Sequence, residues 1–289
     1  MKKQTEEEPL LPTNRFALNR IASPALGLEA FLQLARSAGL AKVELRNDLP
    51  GGRIHDELPA PKALALLEKH GVQVITINAL QHFNLGARLP ALEKELAELA
   101  RAARGIRCPA IVFCPHNDPA DRRSPPERYR EALAALKRFA PILSDAGLLA
   151  CLEPLGFAIS SLDSLATAAA LIQESGSPVY RLVFDTFHHF LGPDTRESLK
   201  GQPALGLVGL VHISGVYQEV PGNRYLDEHR ELIREKDRLG SREQLEFLLA
   251  EGYRGDISFE PFSPVVQRLA PAALAEALRA SLRALGVKT

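Results

Sequence analysis

The 289-residue chain lacks several features that mark particular protein classes. No apolar run approaches the ~18 residues of a membrane-spanning helix. Basic and acidic residues number 35 each, so formal net charge is zero. No global field draws such a chain to nucleic acid or to an anionic membrane surface. There are three cysteines, Cys108, Cys114 and Cys151. Their odd number, wide spacing and lack of a Cys-x-x-Cys pair read as buried, reduced thiols of a cytoplasmic protein. No Gly-x-Gly-x-x-Gly follows the first apolar run, so a dinucleotide-binding sheet has no support. The charged segment Met1–Pro12 lacks the apolar stretch of a signal peptide. Residues 1–14 read as a loose tail and residues 15–289 as one catalytic domain. With 46% apolar and 24% charged residues, the composition is that of a globular protein and excludes disorder.

What is present is a repeat. Helical sequence, then glycine, then a short apolar run recurs at Gly39, Gly71, Gly147 and Gly252, with Gly105 as a fifth instance. Glycine there relieves the left-handed conformation that closes a helix. The runs that follow are short and rich in β-branched or aromatic residues, as strands buried on both faces are. Eight such strands centre near Ala17, Val43, Ile75, Val112, Leu152, Val183, Val211 and Ser258, about 34 residues apart, the length of a βα unit. Between them Leu92, Leu96, Leu99 and Ala103 recur at helical spacing, as do Leu133, Leu136, Ala140 and Leu143, and Leu274, Leu278, Leu282 and Leu285. Ser241 with Gln244 reads as a capping box opening a helix. Only a short helix fits after the sixth strand, and Tyr217–Leu239 reads as a loop or lid. Eight strands alternating with helices predict an α/β fold, a single (β/α)8 TIM barrel.

In such barrels the chemistry sits at the C-terminal strand ends. Glu153, Asp185, His212 and Glu260 end the last four strands. A closed barrel aims them at one point. Three carboxylates converging in a dry pocket repel and take up protons unless a cation lies among them. This predicts one divalent metal ion, Mn2+, Zn2+, Co2+ or Mg2+, with Mg2+ the least suited to histidine. Of His188 and His189, one is expected to face the pocket and the other to pack behind it. Asn78 either donates to a hydroxylated ligand or ties down a loop. Glu44 and Arg46 lie two apart on one strand face and read as a buried pair. Lys236 and Arg238 fall in the lid, where a solvated charge run is the plain reading.

The strand ends Leu152-Glu153-Pro154, Phe184-Asp185-Thr186-Phe187-His188, Val211-His212-Ile213 and Phe259-Glu260-Pro261 resemble those of the sugar isomerase/epimerase superfamily, the xylose-isomerase-like barrels. The likeness runs from about Phe16 to Leu285. Within the superfamily, Phe16–Asn19, Val43–Arg46, Ile77–Leu80 with Phe83-Asn84, Leu182–His188 and Asp237-Arg238 resemble the inosose (2-keto-myo-inositol) isomerases. The resemblance implies one metal held by Glu153, Asp185, His212 and Glu260, with Glu153 and Glu260 also serving as catalytic acid and base. It implies that His188 and Arg238 contact a small polyol or keto-sugar, with Asn78 the further candidate read above, and that an enediolate proton transfer isomerises it. One stretch departs from the family: its Pro-Gly-x-Gly segment is replaced by Arg238–Glu243, so the metal site is implied more directly than the substrate. A lyase of the 3-dehydroshikimate dehydratase type shares the same first step. An apurinic endonuclease shares the barrel, and His116, Glu153, Asp185, His188, His212 and Glu260 imitate part of its three-metal cluster. Its Asp-x-His is absent, however, since Asp237-Arg238-Leu239 stands there. A barrel that binds without catalysing is the remaining alternative. Nucleic acid and membrane partners are not expected, whereas outer barrel helices can build a homo-oligomer.

Overall fold

In the computed structural model, which describes residues 11–49, 51 and 54–287, every one of the eight apolar runs is a strand. They are β1 (Phe16–Asn19), β2 (Lys42–Arg46), β3 (Gln73–Leu80), β4 (Ala110–Phe113), β5 (Leu149–Leu152), β6 (Tyr180–Asp185), β7 (Val208–Ile213) and β8 (Asp256–Phe259). All pair in parallel with their sequence neighbours, and β8 closes on β1. Parallel strands need crossover connections, and the helices supply them. These are α1 (Leu28–Ser37), α2 (Ala60–His70), α3 (Leu89–Gly105), α4 (Pro125–Ala146), α5 (Leu165–Ser175), α6 (Thr186–Leu191), α7 (Arg196–Leu199), α8 (Pro203–Gly206), α9 (Ser241–Ala250), α10 (Pro264–Gln267) and α11 (Pro271–Ala284). The protein is a single (β/α)8 barrel. No helix among the described residues is long and apolar enough to cross a membrane. Of the expected tail, the first ten residues lie outside the described ones. Leu11 packs against the core and Thr13–Arg15 make a 3-10 turn into β1.

The period-two alternation of a strand sorts each run between two cores. Outward residues such as Val43, Ile111, Leu152, Phe184 and Ile257 pack under the helices. Inward residues fill the lumen with apolar side chains, among them Ala17, Ile75, Val112, Cys151, Val183 and Leu210. One inward step further along the chain come the polar residues. Cys151 is followed by Glu153, Val183 by Asp185, Leu210 by His212 and buried Ser258 by Glu260. The apolar lumen is thus the floor on which a polar layer stands. All three cysteines are buried and unbridged.

Two local expectations are corrected. Gly105 does not adopt the left-handed conformation, which Arg107 takes instead at φ 55°. Gly105 is instead required by space, because a Cβ there would lie 2.8 Å from that of Ala60. The Ser241–Gln244 capping box does not form either. Ser241 is buried inside α9, and its hydroxyl donates to the Ser214 carbonyl at 2.7 Å. Gln244 donates to the carbonyls of Thr186 and Leu239. The cap is Asp237, whose Oδ2 accepts from Ser241 N at 2.8 Å. Its Oδ1 accepts from Val216 N and Leu239 N. A tertiary hydrogen bond outcompetes the local one because the helix start lies against Ser214, which follows β7, and Thr186 of α6. The segment from Tyr217 to Leu239 is a loop, as expected, with two 3-10 turns and a bridge pairing Gly215 with Glu231.

Candidate metal centre

Glu153, Asp185, His212 and Glu260 each offer a ligand atom, and the four atoms lie within 4.8 Å of one another, all buried. The His212 Nδ1 faces Glu153 Oε1 at 2.7 Å, Glu260 Oε2 at 3.2 Å and Asp185 Oδ2 at 3.9 Å. Three carboxylates and an imidazole aimed at one point are the donor set of a divalent ion such as Zn2+ or Mn2+. Among the described residues this is the one cluster of three or more such groups.

Two arginines hold the carboxylates apart. Arg230 Nη2 donates to Asp185 Oδ2 at 2.5 Å and to Glu260 Oε2 at 2.7 Å. Its Nη1 reaches Asp227 at 3.1 Å and its Nε reaches Ser214 at 3.2 Å. The guanidinium is sandwiched by the rings of Phe187 and Phe262, at 4.9 and 4.7 Å. Arg46 donates from Nη1 to Glu260 Oε1 at 2.9 Å and grips Asp48 with Nε and Nη2, both at 2.7 Å. Glu260 Oε1 also accepts from Asn19 at 3.0 Å and Asn78 at 3.4 Å. Burial opposes the Glu260 charge, but His212 and Arg230 outweigh it and hold this carboxyl well below its usual range. Burial opposes the His212 charge too, yet Glu260, Glu44 and Glu153 raise it. Asp185 is raised by burial in spite of Arg230. Glu153 has a thinner shell: its Oε2 meets the Cys114 thiol at 3.4 Å.

Above this cluster opens a cavity of about 260 Å³, walled by Arg46, Asn78, His82, Glu153, His188, Arg230 and Glu260 among others. His188 faces it and is pushed down to about 4 by burial, aided by Arg230, so it is neutral at pH 7. Its Nδ1 finds no hydrogen-bond partner among the described residues. His189 turns away, stacking on Phe184 with its Nδ1 2.9 Å from Gln244 Oε1. Asn78 lines the cavity. Arg238 does not: it is exposed on the lid, with Nε donating to Tyr225 Oη at 3.0 Å. The lid arginine that reaches the cluster is Arg230, eight residues earlier. Nothing local distinguishes it, since it is one of four arginines in that charged loop. Glu44 and Arg46 are not a pair. Arg46 goes to Glu260 and Asp48, and Glu44 goes to His212, Thr76 and Asn19.

Known proteins share this architecture. A xylose isomerase domain containing protein from Salmonella typhimurium LT2 is 35% identical, with a TM-score of 0.88 over 95% of this chain and 98% of that one. The IolI protein, solved with a bound zinc atom, has a TM-score of 0.84 over 94% of this chain and 98% of its own; at 18% identity this likeness is one of fold. A human protein named "putative hydroxypyruvate isomerase" is 30% identical over 178 residues, 56% of this chain. That match spans only 62% of the human protein's length. Residues 32–285 match the family described as xylose isomerase-like TIM barrel, and the chain belongs to that family.

Proposed function

We propose that the protein is a divalent-metal-dependent isomerase or epimerase that transfers a proton between adjacent carbons of an uncharged keto-polyol or ketose, of the inosose type. The observation that carries this reading is the convergence of Glu153, Asp185, His212 and Glu260 beneath the cavity. Bound there, a divalent ion supplies Lewis-acid polarisation of a carbonyl oxygen, worth several kcal/mol. The protein's own groups do the rest. Glu153 and Glu260 reach the site from the ends of β5 and β8, with β6 and β7 between them and His212 facing both. Glu260 has both oxygens engaged by cationic or amide donors, whereas among the described residues Glu153 Oε2 meets only a thiol. Glu153 is therefore the better placed to take the proton from one carbon and return it to its neighbour, while Glu260, held charged by His212 and Arg230, orients the substrate across the site. Acid–base assistance of this kind contributes ~10²–10⁴-fold. Neutral His188 and Asn78 offer hydrogen bonds to hydroxyl groups.

The charge inventory supports an uncharged substrate. Among the described residues the ionisable groups of the cavity wall are the acids Asp48, Glu153, Asp227 and Glu260, the bases Arg46 and Arg230, His82 and His188, and the Cys114 thiol, which burial pushes up and so keeps neutral. Burial pushes both histidines down, His188 to about 4. Each arginine is committed to carboxylates through both Nη atoms, so none is left to pair with a substrate anion. The cavity lies below the usual 300–1,000 Å³ of ligand pockets, which suits a small molecule. The one such cluster among the described residues supports one ion rather than the three of an endonuclease.

Elemental mass spectrometry after Mn2+ reconstitution and desalting is expected to give about one ion per chain. Turnover is expected on neutral ketoses or inososes in preference to hydroxypyruvate. Glu260→Gln is expected to bind the ion weakly and to lose most of the activity. No retained ion would overturn the metal reading, preference for hydroxypyruvate the substrate class, and near-wild-type turnover of Glu260→Gln the role of Glu260. A dehydrated product would assign the lyase outcome instead.

A further inference from the structure

His212 presents two nitrogens to two different groups. Its Nδ1 faces the three carboxylates that would share the ion. Its Nε2, on the opposite side of the ring, lies 3.1 Å from Glu44 Oε2. Glu44 is fully buried and belongs to β2, across the lumen from β7. A glutamate in the interior of a parallel barrel is costly unless every lone pair has a donor. Here the donors are supplied. Asn19 Nδ2 donates to Oε1 at 3.1 Å, and the Thr76 hydroxyl donates to Oε2. The Thr76 contact is built into the sheet. The register of β2 on β3 shifts between Val43 and Glu44, which sets Thr76 rather than Ile75 opposite Glu44. A bulge of this kind re-aims a side chain.

An imidazole that binds an ion through Nδ1 must carry its proton on Nε2. A carboxylate already receiving two donors, with an oxygen at Nε2, selects that tautomer and fixes the ring plane. We propose that Glu44 is a positioning residue: it accepts the Nε2–H of His212, so that the Nδ1 lone pair points at the centre formed with Glu153, Asp185 and Glu260. Glu44 is not itself a ligand, because the imidazole ring stands between its carboxylate and that centre. The inference rests on the metal reading above, and it adds the residue that aligns the ligand.

The test is Zn2+ affinity, measured by chelator competition on wild type, Glu44→Leu, Glu44→Gln and Thr76→Val, together with ring ¹⁵N–¹H spectra of histidine-labelled protein. Wild type is expected to bind one Zn2+ and to show His212 protonated at Nε2. Glu44→Leu, of similar volume, removes the acceptor and is expected to bind ~10–100-fold more weakly. Glu44→Gln keeps an acceptor oxygen, so it is expected to retain the tautomer and lose less. Thr76→Val leaves Glu44 with one fewer restraint and is expected to shift the His212 Nε2–H resonance and weaken binding. If Glu44→Leu does not fold, Glu44→Gln and Thr76→Val decide by those same two readouts. Wild-type affinity in every folded variant, or a His212 proton on Nδ1 in the Zn2+-bound wild type, would overturn the proposal. Failure of wild type to bind would instead overturn the metal reading on which it rests.

Discussion

Arg230 is where the electrostatics of this molecule concentrate. Its side chain is 1% exposed and its Nη2 is shared by Asp185 and Glu260, themselves 0% and 3% exposed. Burial works against its charge, but Asp185 and Glu260 outweigh that and raise its pKa. Removing one partner of such a group leaves an uncompensated buried charge, which costs roughly 3–5 kcal/mol. Arg230→Gln is therefore expected to lose about that much stability in EDTA, read from urea unfolding. Part of the loss should return with saturating Mn2+, because the ion restores positive charge between the same carboxylates. Unchanged stability in EDTA would contradict this account. Arg46 is the complementary cation: it holds Glu260 from the β2 side with Asn19 and Asn78. Arg230 is marked by no local motif, and the Val43–Arg46 stretch does not show where Arg46 reaches. Arg46 alternates correctly with Glu44, but its partners lie 214 residues away at Glu260 and two away at Asp48.

The loop between β4 and α4 shows how an element is pinned so that a cavity wall stays in place. Asp121 accepts from Arg123 Nε at 3.0 Å and Nη2 at 2.9 Å, and lies 3.2 Å from Arg128 Nε. Arg123 in turn donates to the Asn84 carbonyl at 2.7 Å and to Glu131 at 2.6 Å. Asn84 Oδ1 accepts from His116 N, which ties the loop after β3 to the loop after β4. The hydrogen bonds from Arg123 lower Asp121 from 3.8 to about 2. A carboxyl lowered in the folded state adds stability that is present above its unfolded value and lost as pH falls towards the folded one. The contribution is thus complete above about pH 4 and fades towards pH 2. Unfolding of wild type and Asp121→Asn compared across that range should show a gap near neutrality that closes as the pH drops. A gap independent of pH would remove the ionic explanation. The Ser124–Glu127 capping box that starts α4 adds a local stop to the same loop. It has the spacing wrongly assigned at Ser241, and it succeeds because Ser124 lies free of any strand.

At the scale of the whole molecule, the polar layer ties the strands together through their C-terminal ends. Asn19 on β1, Glu44 and Arg46 on β2, Asn78 on β3, Asp185 on β6 and His212 on β7 all join Glu153 and Glu260 in one network. An ion bound there interacts with the closed barrel and with no unfolded equivalent of the site. Binding to the native state alone stabilises by about 2.7 kcal/mol at a hundred times Kd. Thermal unfolding is therefore expected to rise with added Mn2+ or Zn2+ and to fall after exhaustive EDTA dialysis. A midpoint indifferent to both would argue against a resident ion. The apolar floor of Ala17, Ile75, Val112, Cys151, Val183 and Leu210 should be untouched by either treatment, since it lies one inward step below the polar layer.

Much of this was legible in the chain itself. The eight strands are readable because each is a short apolar run set between helix-closing and turn signals. The positions of Glu153, Asp185, His212 and Glu260 are readable because a period of two carries lumen residues directly into them. Closure of the barrel follows from eight such units, since a parallel sheet buried on both faces has no exposed edge only when its ends meet. Tertiary structure alone decided the rest. Which of four lid arginines enters the site depends on the path of an irregular loop, and irregular loops have no periodicity to read. The partner of Glu44 depends on a bulge and on the far wall of the barrel. The cap of α9 depends on Ser214 and Thr186 engaging the Ser241 hydroxyl, which leaves the helix start to Asp237. Local spacing determines what a residue is able to reach along its own segment; only closure determines which groups from distant segments compete for it, and buried charge makes that competition decisive.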